Sequence, residues 1–179
     1  FFLGGPEATY DSEALLTALP ELDGILLGEG EATLLELLSF LEQEKDLTHC
    51  AGLALPSGYT DFRSPVDMDT LPFCYENLDQ VKHRILYYES MRGCPFQCSY
   101  CLSSVEQGVR YRSLSLVFKD LKRFLDSKVK QVKFVDRTFN CKKSHAMAIW
   151  EYLKENDNGV TNFHFELAGE LIDEEMISL

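Results

Sequence analysis

The sequence predicts an α/β protein: a short doubly wound stretch, then longer β-α units of the kind that build (β/α) barrels. Three observations carry this reading. Apolar runs of strand length alternate with amphipathic helical stretches along the whole chain. Glycines fall at the carboxyl ends of the early apolar runs, where doubly wound sheets let backbone approach a ligand. Three cysteines, Cys94, Cys98 and Cys101, cluster just after the apolar run Ile85-Leu86-Tyr87-Tyr88, in the loop position that carries active sites in barrels.

Residues 1–50 alternate strand and helix. Phe1 to Leu3 end a strand, broken by Gly4-Gly5-Pro6. Ser12 is expected to cap a helix with Leu15, Leu16 and Leu19 on one face, closed by Pro20. Asp23 to Gly28 reads as a short buried strand, and Glu29-Gly30-Glu31 turns into a second helix whose apolar stripe is Leu34, Leu35, Leu37, Leu38 and Leu41. Residues 51–80 make a connector, in which Pro56-Ser57-Gly58 joins the two arms of a hairpin. Pro65 to Pro72 is an irregular linker, with Phe73 anchoring it to a neighbouring domain.

From residue 81 the units lengthen. Ile85 to Glu89 is a first strand, followed by the cysteine loop, where Gly93 permits a tight turn. Ser115 to Leu125 is a helix with Leu116, Val117, Leu121, Phe124 and Leu125 inward. Val132 to Asp136 is a second strand, and Ser144 to Lys154 a helix with Met147, Ile149, Trp150 and Leu153 on its apolar side. Phe163 to Leu167 is a third strand, and Asp173 caps a last helix. Three such units cannot close a barrel, and no initiator Met precedes Phe1, so a piece of a longer protein is expected.

Composition narrows the classes. Apolar residues make up 45% and charged residues 26%, ordinary for a globular protein, and no apolar run approaches a membrane span. Phe1 to Gly5 is too short, and lacks the basic flank, for an export signal. Six cysteines are too sparse for a disulfide scaffold, so their clustering points to metal and a reducing cytoplasm. Cys50, Cys74 and Cys141 are scattered and read as small buried apolar side chains. The net charge is −12, and residues 1–50 hold eleven acids against one base, Lys45, which disfavours a nucleic-acid partner. The basic concentration between Lys119 and Lys143 reads as a solvated helix and loop.

Thiolates suit iron–sulfur clusters, zinc and copper(I), and three of them leave one metal position open. Cys94-x-x-x-Cys98-x-Tyr100-Cys101 resembles the signature of the radical S-adenosylmethionine (SAM) enzymes. The resemblance implies that Cys94, Cys98 and Cys101 hold three irons of a four-iron, four-sulfur cluster. It further implies that SAM chelates the fourth iron and that Tyr100 lies along the adenine. Reductive cleavage of SAM would then yield methionine and a 5′-deoxyadenosyl radical. Gly4-Gly5-Pro6-Glu7 and Gly28-Glu29-Gly30-Glu31 resemble the last part of the cobalamin-binding domain found ahead of many such cores. This adds Gly4, Gly5 and Gly28 as candidate cofactor contacts and cobalamin as a candidate cofactor. Leu71-Pro72-Phe73 and Arg110-Tyr111-Arg112-Ser113 match phrases of the same branch.

The implied organisation is a partial cobalamin-binding-like domain over 1–50, a hairpin and linker over 51–80, and the first half of a radical SAM core over 81–179. Val135-Asp136-Arg137-Thr138-Phe139 resembles the Asp-x-x-Phe phrase of that branch, so Asp136 is expected to accept from the SAM ammonium. Helix capping or a structural salt bridge is the alternative. Glu166, a charge amid an apolar strand, must be paired or face a cavity, and is expected at SAM or its ribose, or paired with Arg110 or Arg112. Among the four histidines only His164, beside Glu166, stands out. Methyl transfer or oxidative cyclisation of a small molecule, with an electron donor such as flavodoxin or ferredoxin, is the implied activity. A radical SAM methylthiotransferase and a zinc-binding interaction module are the alternatives.

Overall fold

In the first β-α stretch, alternation along β2 (Gly24–Leu26) and just past it sends Ile25 and Leu27 to one face and Leu26 to the other. Both faces are apolar, so both must be covered. The computed structural model, which describes residues 1–104 and 108–179, shows how. Strand β1 (Phe2–Leu3) pairs parallel to β2, while β3 (Leu53–Leu55) and β4 (Gly58–Tyr59) continue the sheet antiparallel in the order β1-β2-β3-β4. Helices α1 (Pro6–Tyr10) and α2 (Ser12–Ala18) bring Ala8, Leu15 and Leu16 against Ile25, Leu27 and Ala54. Helix α3 (Gly30–Glu42) brings Leu37 and Phe40 against Leu26, Leu53 and Leu55 on the opposite face.

Two expectations for this unit change. Ser12 does not cap: it begins α2, is buried, and its hydroxyl bonds the Tyr59 hydroxyl at 3.1 Å across to the hairpin. Of the expected leucine stripe of α3 only Leu37 is buried. Thr33, Leu37 and Phe40 form a second stripe at the same helical spacing, and that stripe faces the sheet. Thr33 decides between them, since it accepts from Arg63 Nε at 3.1 Å and sits where a side chain on Gly52 would lie. Leu34, Leu35, Leu38 and Leu41 are left 46–73% exposed.

The chain divides into two compact units, Phe1–Val66 and Asp67–Leu179. The hairpin expected in a linker therefore belongs to the first sheet, and the segment from Asp67 belongs with the second unit. There, β5 (Ile85–Tyr88), β8 (Gln131–Phe134) and β9 (Asn162–His164) form a parallel sheet in the order β5-β8-β9. Helices α5 (Leu114–Asp126) and α6 (Lys143–Glu155) are the connections between them. Burial alternates along β5 and β8: Leu86, Tyr88, Val132 and Phe134 pack under the helices, while Ile85 and Tyr87 stay exposed. From α5 come Val117, Leu121 and Phe124, and from α6 come Ala146 and Ile149. Burying each of the larger side chains contributes about 1.5–3 kcal/mol. Short helices α4 (Leu78–Val81) and α7 (Glu174–Ser178) flank the unit, and Asp173 caps α7 as expected, accepting from Met176 N at 3.0 Å.

Phe73 anchors its segment on this core, 5.1 Å from the Phe124 ring centroid and under the Arg123 guanidinium at 3.9 Å. The lysines of the basic concentration, Lys119, Lys122, Lys128 and Lys130, are exposed, as a solvated helix and loop require. Among the described residues no helix is long and apolar enough to cross a membrane.

Arg112 fastens the start of the unit. Its Nε donates to Asp120 at 3.1 Å, and its Nη1 donates to the carbonyls of Met68 at 2.6 Å and Leu71 at 2.9 Å. Tyr88 donates a second hydrogen bond to the same Asp120 oxygen. The ion pair is almost fully buried, so removing one partner strands the other charge. Asp120→Ala is expected to lower stability by about 3–5 kcal/mol, read from the urea midpoint. A loss below about 1 kcal/mol would show that water replaces the carboxylate.

Candidate functional site

The expected first loop is built differently from a simple strand-to-helix turn. After β5 the chain makes a further strand, β6 (Met91–Gly93), which pairs antiparallel with β7 (Val109–Tyr111). The cysteine segment is thus the connection of a hairpin that rises from the carboxyl end of β5. Gly93 is required at its base. It has φ 98°, and a Cβ there would lie 2.1 Å from the Gly108 carbonyl oxygen.

Cys94 follows Gly93 directly, half-buried, with its Sγ 3.4 Å from Thr138 Oγ1. Cys98 is exposed and Cys101 half-buried, and the Cys101 N–H donates to the Cys98 carbonyl at 3.0 Å, so a tight turn joins them. All six cysteines are free thiols. Only Cys50 of the scattered three is buried; Cys74 is exposed, because it sits between Phe73 and Tyr75, whose rings take the core side. Cys141 is half-buried, 3.1 Å from the Tyr111 hydroxyl. The Tyr100 side chain is 91% exposed.

As a donor set the three thiols suit an iron–sulfur cluster, being soft, unpaired and confined to one short segment. Among the described residues no three His, Cys, Asp or Glu side chains already converge at metal-ligand distance.

Asp136 lies at the end of β8 and is fully buried. Its Oδ1 accepts from Ser90 N at 2.8 Å and Met91 N at 3.2 Å, and its Oδ2 accepts from the Ser90 hydroxyl. Among the described residues it neither caps a helix nor forms a salt bridge; it grips the two residues where the chain passes from β5 to β6. Burial pushes its carboxyl up to about 7, against the lowering effect of these donors. The Ser90 hydroxyl also lies 3.3 Å from His145 Nε2. Burial and the nearby Lys142 push His145 down to about 4. His145 is therefore the histidine of this site, whereas His164 is exposed on β9. Its position gave no metal-ligand spacing, and its only sequence signal is a polar residue on the inner side of α6.

Glu166 lies beyond β9, about 38% exposed, and pairs with Lys133 at 3.3 Å. Its expected arginine partners are elsewhere: Arg112 belongs to Asp120, and Arg110 lies on β7 opposite Arg92. Lys133 is the nearer partner because β8 and β9 run side by side. Just above the strand ends, Phe139 N donates to the Glu166 carbonyl at 2.9 Å. Asn140 exchanges two hydrogen bonds with the Ala168 backbone, each 2.9 Å. In the other unit, Gly4 and Gly5 follow β1 and Gly28 follows β2. The parallel pairing brings all three to one end of that sheet. Gly5 and Gly28 have positive φ, 97° and 64°, and Gly28 N donates to Thr9 Oγ1 at 3.2 Å.

The two buried ionisable groups give opposite pH dependences. Asp136 has its pKa raised on folding from 3.8 to about 7, so its contribution is fully present below 3.8 and lost as pH rises through 7. His145 has its pKa lowered from 6.5 to about 4, so its contribution is present above 6.5 and lost as pH falls through 4. Urea midpoints of the wild-type chain should fall relative to Asp136→Asn as pH is raised between these limits. Relative to His145→Gln they should fall as pH is lowered. Parallel midpoint curves would show that folding leaves both pKa values unshifted.

No family model matches the chain. In sequence it is 30% identical to an uncharacterized methyltransferase of Pyrococcus horikoshii, over 86% of this chain and 36% of that protein. It is 32% identical to an anaerobic magnesium-protoporphyrin IX monomethyl ester cyclase of Synechocystis, over 55% of this chain and 22% of that protein. To the hopanoid C-3 methylase of Methylococcus capsulatus it is 29% identical, over 84% of this chain and 31% of that protein. The chain thus spans 22–36% of the length of these relatives. In structure it matches the radical SAM methyltransferase TsrM of Kitasatospora setae, solved with tryptophan and a SAM analogue, with TM-score 0.73 and 18% identity. That match covers 99% of this chain and 38% of that one. It matches the cobalamin-dependent radical SAM enzyme OxsB, solved with aqua-cobalamin and SAM, with TM-score 0.71 and 20% identity, over 92% of this chain and 25% of that one. The chain thus shares its fold with these two solved structures, and in sequence it is similar to a methyltransferase, a cyclase and a methylase.

Proposed function

We propose that Cys94, Cys98 and Cys101 hold a four-iron, four-sulfur cluster, and that the chain is part of an enzyme that cleaves SAM reductively. The observation that carries this is the hairpin. Three free thiols sit on one connection at the carboxyl end of the parallel sheet, with Cys94 fixed at its base by Gly93 and Thr138. When bound, the cluster supplies the electron that splits SAM into methionine and a 5′-deoxyadenosyl radical. The protein's share is to orient these groups and exclude water. Residues 81–179 act as the first half of the core, and residues 1–50 as part of a cobalamin-binding domain, with Gly4, Gly5 and Gly28 as backbone contacts to that cofactor.

In this reading Asp136 serves by holding Ser90 and Met91, since its carboxylate is already engaged by three donors. Glu166, half-exposed beside Lys133, is the carboxylate left for the SAM ammonium or ribose. The exposed Tyr100 side chain leaves its backbone to run along the adenine. Methyl transfer and oxidative cyclisation of a small molecule are both supported by the relatives in sequence. A low-potential donor of the flavodoxin or ferredoxin kind would supply electrons. A reducing cytoplasm suits six free thiols.

Anaerobic reconstitution of the full-length protein with iron and sulfide tests the proposal. About four irons per chain and SAM cleavage on reduction are expected. Cys98→Ala should lose the cluster, and unchanged iron content in that variant would overturn the ligand assignment. Stoichiometric zinc with no SAM cleavage would instead establish a zinc-binding module. Cobalamin retention separates this branch from a methylthiotransferase.

A further inference from the structure

Thr138 stands apart from the other polar residues near the cysteine loop. Its residue is 3% exposed, and among the described residues its hydroxyl has one partner, Cys94 Sγ at 3.4 Å. A hydroxyl can donate or accept, but a thiolate can only accept. A cysteine that ligates a metal is deprotonated, so in the loaded protein this bond runs one way, from Thr138 to sulfur.

The threonine is also held in place from both sides. Two residues before it, Asp136 is tied to Ser90 and Met91. Its own carbonyl accepts from Cys141 N at 3.0 Å, Phe139 is fully buried, and Asn140 is locked to Ala168. A β-branched side chain on such a backbone has little rotamer freedom. The hydroxyl is therefore fixed at the sulfur before any metal arrives.

We propose that Thr138 is a positioning residue that tunes the cluster, donating a hydrogen bond to the Cys94 thiolate and raising the reduction potential. This rests on the cluster reading above. A one-electron reductant from outside adds one negative charge to the cluster and its thiolates, and no covalent bond forms or breaks. A donor on one thiolate stabilises the more negative state more, and its burial strengthens the effect. Of the cluster ligands, Cys94 alone has a buried side-chain hydroxyl among the described residues, which makes the tuning specific to one ligand.

Thr138→Val keeps the shape and removes the donor. In an anaerobic redox titration of the reconstituted full-length protein, the ratio of reduced to oxidised cluster at a fixed poise should fall about tenfold. That is a lower midpoint by about 59 mV for a one-electron couple. Thr138→Ser should restore the wild-type midpoint. Iron and sulfide content are read first. If the full-length wild-type protein takes up no cluster, the cluster reading fails and this inference with it. If all three proteins hold the cluster at one midpoint, the inference alone is overturned. Should Thr138→Val not fold, wild type decides by resonance Raman in H₂O and D₂O. An isotope shift in the iron–cysteine stretches, retained in Thr138→Ser, supports the donor, and no shift overturns it.

Discussion

The second unit depends on one buried carboxylate holding two backbone amides. At the end of β5 the chain must leave a parallel sheet and start an antiparallel hairpin, and the amides of Ser90 and Met91 fall between the two hydrogen-bonding patterns. Asp136, at the end of the neighbouring strand, takes both. Buried amides without partners cost about 1–3 kcal/mol each, so without Asp136 the turn would have to open to water. The direction in which Cys94 leaves the sheet is thus set by a side chain more than forty residues further along the chain.

The same logic recurs at the start of the unit, where Arg112 takes the Met68 and Leu71 carbonyls and is itself neutralised by Asp120. Both devices replace regular secondary structure with a buried polar side chain. Each is fully satisfied, as low-dielectric surroundings demand. Between them lies an aromatic core in which Phe134 contacts Tyr88, Phe139 and Phe165 edge-on or tilted. Among the described residues the helices pack on the face that carries Leu86, Tyr88, Val132 and Phe134, and Ile85 and Tyr87 on the other face stay exposed.

Much of this was legible in the sequence, for local reasons. Strand and helix periods place β2, β5, β8, α5 and α6 within a few residues. The cysteine spacing is legible because all three thiols lie on one segment. What could not be read depends on pairing at a distance. Strand β6 is three residues long and its partner lies beyond a cysteine-rich stretch, so no alternation announces it. The choice between the two stripes of α3 is made by Gly52 and Arg63, not by hydrophobicity. The partner of Glu166 follows from strand adjacency, and the roles of Ser12, Thr138 and His145 from contacts with remote elements.

Asn140 makes the dependence on such contacts concrete. Its side-chain amide behaves as a peptide group turned sideways, giving a proton to the Ala168 carbonyl and taking one from its amide. The parallel sheet is in effect extended past the end of β9 by a side chain rather than a strand. Conversion to aspartate, whether by codon change or by slow deamidation, would exchange that donor for a second lone-pair face. Two oxygens would then oppose each other where one bond had closed the sheet. The upper rim of the unit is in this sense sensitive to a single NH₂ group.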